Sequence, residues 1–335
     1  EIKLKKYTNE ELTENIINML KEKTKKDYKK NHIKREAHSK CLGLLKAQFI
    51  VNENLPKEYK IGVFKSPKTY NAFIRISNSN PKTKGDNSKD IRGFAIKLLG
   101  VDGEKCESNE SGTQDFLLIN TNIMPIGTLK LFHDAIYYMT KSNPLIFGGE
   151  LLIQGKLVKI LNLIKNMKHE TSPLDVRYFS TTPYMFGDKI VKYILIPTST
   201  YKSKLPKNLT ATYLSENMQN HLKKHEATFD FLIQIQTNEN EMPTNDASIT
   251  WDIKKSKIVK VATLKIPIQI FATKERYKLA ENLSFSPGHS LIEHRPIGDI
   301  NEARVKIYEE MSKFRHSGNS EALYEPSNKD FYHIK

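Results

Sequence analysis

The chain has 335 residues, 38% of them hydrophobic and 27% charged, with a formal net charge of +15. That composition can bury a sizeable core, and the length suits one large domain or two ordinary ones. It excludes a membrane-helix protein, because no run approaches about 18 apolar residues, and it excludes a disulfide framework or Cys-rich metal site, because there are only two cysteines, Cys41 and Cys106.

The opening residues EIKLKKYTNEEL lack the apolar stretch of a secretory signal, so a reducing, cytoplasmic setting is expected. The positive charge raises nucleic acid, anionic membrane or acidic ligands as partners. The lysines are spread over KEKTKKDYKK, KNMKH, HLKKHE and DIKKSKIVK, and no zinc-finger spacing or RNP-like motif accompanies them. A solvated lysine-rich surface is the favoured reading, without nucleic acid.

Residues 8–22, TNEELTENIINMLKE, begin with a capping pattern and carry apolar residues at helical spacing. A charged link to about residue 30 follows. Short strand-like segments come next at 45–51, 59–65, 71–78, 93–99 and 115–120, divided by Pro, Gly, Asn and Asp clusters. The pattern turns helical over 128–140 and 150–167. Strands resume at 176–181, 189–197 and 228–236, and in the last of these Phe229, Phe231, Ile233 and Ile235 share one face. Residues 257–271 read as a long strand or a pair. After a Pro/Gly-rich loop over 285–298, Asp299 opens a last helix, with Glu302 placed for a capping box. With no repeat and no low-complexity linker, one α+β domain containing a β-barrel is the simplest organisation.

The last helix, NEARVKIYEEMSKFRH, sets Arg304, Tyr308 and Arg315 four and then seven residues apart, on one face. An arginine one turn from a tyrosine favours phenolate, which is a hard ligand for ferric iron and a known proximal ligand of haem. A second arginine can pair with a propionate. The competing reading is an ordinary amphipathic helix. Near the other end, REAHS and FIRISN supply Arg35, His38, Arg75 and Ser77. A distal histidine can move a proton between peroxide oxygens, and a serine can fix its tautomer. A surface histidine is the alternative.

Taken together, REAHSKCLGLLKAQFIV, AFIRISNSN, DIRGFAIKLLG, TQDFLLIN and ENLSFSPGHSLIEHRPIGDINEARVKIYEEMSKFRH occur in the order found in the haem-catalase superfamily. The chain resembles its small catalase-related haem proteins, over residues 33–316. The resemblance implies a catalase-like antiparallel β-barrel with surrounding helices, and haem b (iron protoporphyrin IX) between barrel and C-terminal helix. It implies a lysine-rich extension over 1–30, a haem domain over 31–320 and a tail over 321–335.

Position by position, the resemblance makes His38 the distal histidine, Ser77 its support and Asn120 the distal asparagine, with Asn109 as rival. Arg35, Arg75 and Arg315 match propionate arginines, Tyr308 the iron ligand and Arg304 the arginine bonded to it. Ala37 stands where the allene oxide synthase branch carries a threonine bonded to the imidazole. It therefore tilts the expectation from rearrangement of fatty-acid hydroperoxides towards breakdown of hydrogen peroxide or organic hydroperoxides. A non-catalytic haem-binding protein is the remaining alternative.

Against the pattern of full-length catalases, a short or absent N-terminal arm and C-terminal region are expected, and with them a monomer or small homo-oligomer. The phenylalanine pair that follows the distal asparagine in the family is not evident in NTNIMPI, and nothing identifies a bound nicotinamide nucleotide. A small-molecule reductant is a possible partner. His289 and His294 are weaker metal candidates, as are His221 and His225, which have the i, i+4 spacing of a helical zinc pair but no obvious third ligand.

Overall fold

The computed structural model describes residues 7–107 and 112–334. Asn109 lies outside the described residues. Among the described residues, nine antiparallel strands form the centre: β1 (Lys40–Val51), β2 (Thr69–Asn78), β3 (Arg92–Val101), β4 (Gly112–Ile119), β5 (Tyr178–Phe179), β6 (Tyr184–Phe186), β7 (Lys189–Pro197), β8 (Ala227–Ile235) and β9 (Ile258–Ile266). Their order is β5-β4-β3-β2-β1-β9-β8-β7-β6. Because β5 pairs with both β4 and β7, eight strands close into a barrel and β6 hangs from β7. Closure removes the sheet edges that would otherwise invite another chain.

Alternation decides what faces inward. Along β8, Phe229, Phe231 and Ile233 point into the core. Inside, Phe231 meets Phe49 at 5.0 Å and Phe116 at 4.9 Å between ring centroids. The lumen is therefore a packed core and not a channel, as expected for a barrel of this size. Along β2, Ala72, Ile74 and Ile76 face that core, which turns Phe73, Arg75 and Ser77 outward. Chemistry has to sit on the outer face.

Among the described residues, eight helices surround the barrel: α1 (Asn9–Asp27), α2 (Leu129–Thr140), α3 (Pro144–Ile153), α4 (Leu157–Asn166), α5 (Tyr213–Leu222), α6 (Lys274–Asn282), α7 (Asp299–Gly318) and α8 (Asn328–His333). Thr8 and Glu11 cap α1 reciprocally. Its Ile16 and Ile17 join Ile136 of α2 and Ile307 and Met311 of α7 in a second apolar layer. That layer holds α7 along its length.

Several sequence expectations need correction. Residues 59–65 are not a strand: they span the end of one 3-10 turn (Lys57–Tyr59) and a second (Gly62–Phe64), where Gly62 takes φ 50° and a Cβ would lie 2.3 Å from the His294 ring. The helix expected over 150–167 is two helices, broken where Gly155 adopts φ 66° after α3. Of the two readings of 257–271 the single strand holds, as β9, while 176–181 shrinks to the two residues of β5. Gly298, at φ 87°, occupies the cap position of α7, so Asp299 is already helical and makes no capping box.

Candidate active site

His38 sits in the turn before β1 with φ 56°, a left-handed conformation uncommon for a side-chain-bearing residue. Hydrogen bonds on both sides hold it there. Its N–H donates to the Ser79 carbonyl at 3.0 Å, and its own carbonyl accepts from Arg75 Nη2 at 3.0 Å. The imidazole Nδ1 lies 3.0 Å from Ser77 Oγ. Beneath the ring runs the backbone of Gly93, which pairs with Ser77 on one side and Ile119 on the other. A Cβ at Gly93 would come within 2.5 Å of His38 Nδ1 and 2.8 Å of Ser77 Oγ, so only glycine admits this ring position.

Burial, followed by the charges of Arg75, Arg304 and Arg35, pushes the His38 pKa down to about 3. The ring is therefore neutral at ordinary pH. The half-buried Asn120 follows Ile119, at the same rim of the barrel. Its Oδ1 accepts from the Arg92 N–H at 2.7 Å, and its own N–H donates to the Arg92 carbonyl at 3.0 Å. Ala37 is exposed and offers the imidazole no hydroxyl; the hydroxyl at Nδ1 is that of Ser77.

The second half comes from α7. Arg304 Nη2 donates to the Tyr308 phenol at 3.4 Å, while Nη1 donates to Thr182 Oγ1 at 3.0 Å and Asn301 Oδ1 at 2.9 Å. Burial opposes the Arg304 cation, but the phenols of Tyr308 and Tyr184 outweigh it and raise its pKa. Tyr308 is half-buried at the edge of the α1–α2–α7 layer. Arg304 is one of the charges that lower the His38 pKa.

Three further cations converge beside it. Arg35 Nη1 lies 3.4 Å, and Arg75 Nη2 3.5 Å, from the carboxylate of Glu281 on α6. Arg35 Nη2 also donates to the Ala280 carbonyl at 3.0 Å and to that of Leu283. Arg315 donates to the carbonyls of Glu281 and, at 3.5 Å, Leu283. Although burial works against it, the three arginines hold the Glu281 carboxyl below the usual range. Arg75 Nε is buried without a hydrogen-bond partner.

The sequence reading missed Gly93, Glu281, Thr182 and Asn301. Gly93 has no side chain to notice, although the GF step opening a strand was a faint signal of close approach. Glu281 sits in a helix that the sequence reading did not anticipate. The two weaker histidine pairs have other partners. His294 Nε2 accepts from the Val63 N–H at 3.1 Å, and His289 Nδ1 faces Asp115 at 3.1 Å. Tyr201 packs against both His221 and His225 at 4.6 Å. Among the described residues no cluster of three His, Cys, Asp or Glu groups is arranged to hold a metal ion.

A haem needs an axial donor, cations for its propionates and a polar group on its other face. The donors here fit that requirement. The phenol has an arginine on its oxygen, Arg75 Nε is buried with no hydrogen-bond partner, and Glu281 shows that Arg35 and Arg75 accept a carboxylate.

No family model matches the sequence, and no curated protein matches it either. Solved structures do match the fold. A fungal catalase superposes with a TM-score of 0.66 at 18% identity, covering 87% of this chain and 60% of the catalase. A bacterial catalase gives 0.67 at 15% identity, covering 88% and 61%. Catalase A from Saccharomyces cerevisiae gives 0.67 at 16% identity, covering 88% and 65%. The fold is catalase-like, and the chain spans under two thirds of the length of each of these catalases.

Proposed function

We propose that the chain is a haem-dependent enzyme that consumes peroxides, with Tyr308 as iron ligand and His38 as the base opposite it. The observation that carries this reading is the pair of contacts that set its two halves: Arg304 Nη2 donates to the Tyr308 phenol at 3.4 Å, and His38 Nδ1 lies 3.0 Å from Ser77 Oγ. Bound haem would supply the two-electron reduction of the peroxide O–O bond.

The protein residues handle the proton. In the tautomer that carries its proton on Nδ1 and donates it to Ser77 Oγ, neutral His38 would offer Nε2 to take a proton from one peroxide oxygen and deliver it to the other. That oxygen leaves as water. With haem bound, a second hydrogen peroxide would supply the two electrons and leave as oxygen, so that two peroxides would give two waters and one oxygen. An organic reductant in its place gives peroxidase activity. Asn120, at the same rim, would orient the other peroxide oxygen, and Arg35, Arg75 and Arg315 would hold the propionates. Arg304, bonded to the Tyr308 oxygen, stabilises the phenolate.

The test is one haem-loaded preparation assayed three ways: oxygen release from hydrogen peroxide, oxidation of a phenolic dye, and conversion of a polyunsaturated hydroperoxide. Oxygen release with dye oxidation is expected, because Ala37 offers the imidazole no hydroxyl. Hydroperoxide rearrangement without oxygen release, or no turnover in any assay, would overturn the reading.

A further inference from the structure

The hairpin of α3 and α4 is apolar on both sides. Inward, Phe147 and Leu151 pack with Leu131 and Ala135 of α2, which satisfies one face. Outward, Leu145, Ile146, Leu152 and Ile153 of α3 are 82%, 55%, 61% and 89% exposed. At 100° per residue these four fall on one side of α3, opposite Phe147 and Leu151. On α4, Val158, Leu161 and Ile164 are each more than half exposed. An amphipathic helix in a soluble fold shows solvent a polar face; this hairpin shows it seven apolar side chains.

Charge narrows what covers them. From residue 141 to 169 the sequence carries Lys141, Lys156, Lys159, Lys165 and Lys168, with Glu150 as the sole acid. Lys165 sits on the outer face of α4 beside Leu161, and Lys168 follows the helix; both are exposed. A second copy docked two-fold on this face would set the same lysines against themselves in a chain of net charge +15. Exposed apolar side chains with lysines at their edge match a surface that is apolar beneath an anionic layer.

We propose that the α3–α4 hairpin docks the protein on anionic lipid bilayers. The outward apolar residues of α3 and α4 enter the acyl boundary, while Lys165 and Lys168 meet the headgroups. The hairpin lies on the membrane and does not cross it; no helix among the described residues is long and apolar enough to span one. Docking is independent of the peroxide chemistry, because Tyr308 and His38 lie outside the hairpin. Through α2, which packs on both the hairpin and α7, the membrane face is joined to the helix that carries Tyr308.

Flotation of the full chain with vesicles tests this. Binding is expected to phosphatidylcholine vesicles containing about one-third phosphatidylserine, and about tenfold weaker binding to pure phosphatidylcholine. The pair Leu152→Ser with Ile153→Ser, and separately Lys165→Glu with Lys168→Glu, should each lower binding about tenfold. Both pairs should leave the melting temperature and peroxide consumption in solution unchanged. Equal binding to neutral vesicles, or binding indifferent to Leu152→Ser with Ile153→Ser, overturns the proposal. So does a dimer in light scattering that this pair dissolves while vesicles are ignored, which would make a second copy the occupant.

Discussion

Two clusters of buried charge flank the barrel, and they differ in their balance. In the first, Lys97 of β3 is fully buried between Asp115 at 2.9 Å and Glu325 at 2.7 Å. His289 adds contacts to Asp115 at 3.1 Å and to Glu107 at 3.5 Å. Burial opposes both cations, but the surrounding carboxylates outweigh it and raise the pKa of Lys97 and His289. In the second, Arg35 and Arg75 share one carboxylate, Glu281, and Arg315 donates to the Glu281 backbone carbonyl. The nearby Glu36 is pushed towards its neutral form by burial. A saturated cluster clamps loop and tail onto the sheet, whereas an undersaturated one beside a partly accessible histidine has capacity left for an anion.

That contrast can be broken by mutation. The largest effect falls on the active side: His38→Ala should lower oxygen release by about 10²–10⁴-fold with haem content retained, and unchanged release would remove His38 from the mechanism. On the structural side, Lys97→Met leaves buried carboxylates uncompensated and should cost about 3–5 kcal/mol in denaturant unfolding. Haem affinity per folded molecule should hold, and a stable Lys97→Met protein with lost haem would reverse the roles of the two clusters.

Gly93→Ala acts by displacement. The added methyl has no room against His38 and Ser77, so turnover should fall about 10–100-fold while haem remains bound. The smallest effect is in pH. The His38 pKa of about 3 means that activity between pH 5 and 8 should vary by no more than about twofold on its account; a limb near 6.5 would show the ring to be freely solvated.

Stability follows the same residues. His38 and the fully buried His294 both have folded pKa values of about 3, below the ordinary 6.5. Unfolding lets each take up a proton, so their stabilisation is complete above about pH 6.5 and is lost as pH falls towards 3. Denaturant midpoints at neutral and acidic pH check this, and an acid-indifferent midpoint would contradict it.

The sequence carried the barrel strands wherever alternation was clean, as in β8, and it carried α7 through the spacing of Arg304, Tyr308 and Arg315. It failed where backbone conformation decided. Nothing in YKIGVFK says that Gly62 must turn left-handed against His294, and an apolar run there reads as a strand. Gly155 was a readable helix stop, overlooked because the apolar spacing resumes after it. At the candidate site the charged and aromatic residues were legible because their types are chemically distinctive. Gly93 and Glu281 were not: one acts by lacking a side chain, and the other matters only once the fold brings three arginines to it.

The central claim is that Tyr308 is the iron ligand, and the optical spectrum of the haem-loaded protein beside its Tyr308→Phe variant tests it most directly. Phenylalanine keeps the packing of a half-buried ring and removes only the oxygen. A high-spin ferric phenolate spectrum in the parent, lost with most of the haem in the variant, is the expected result. The same spectrum and full haem content in both would contradict it.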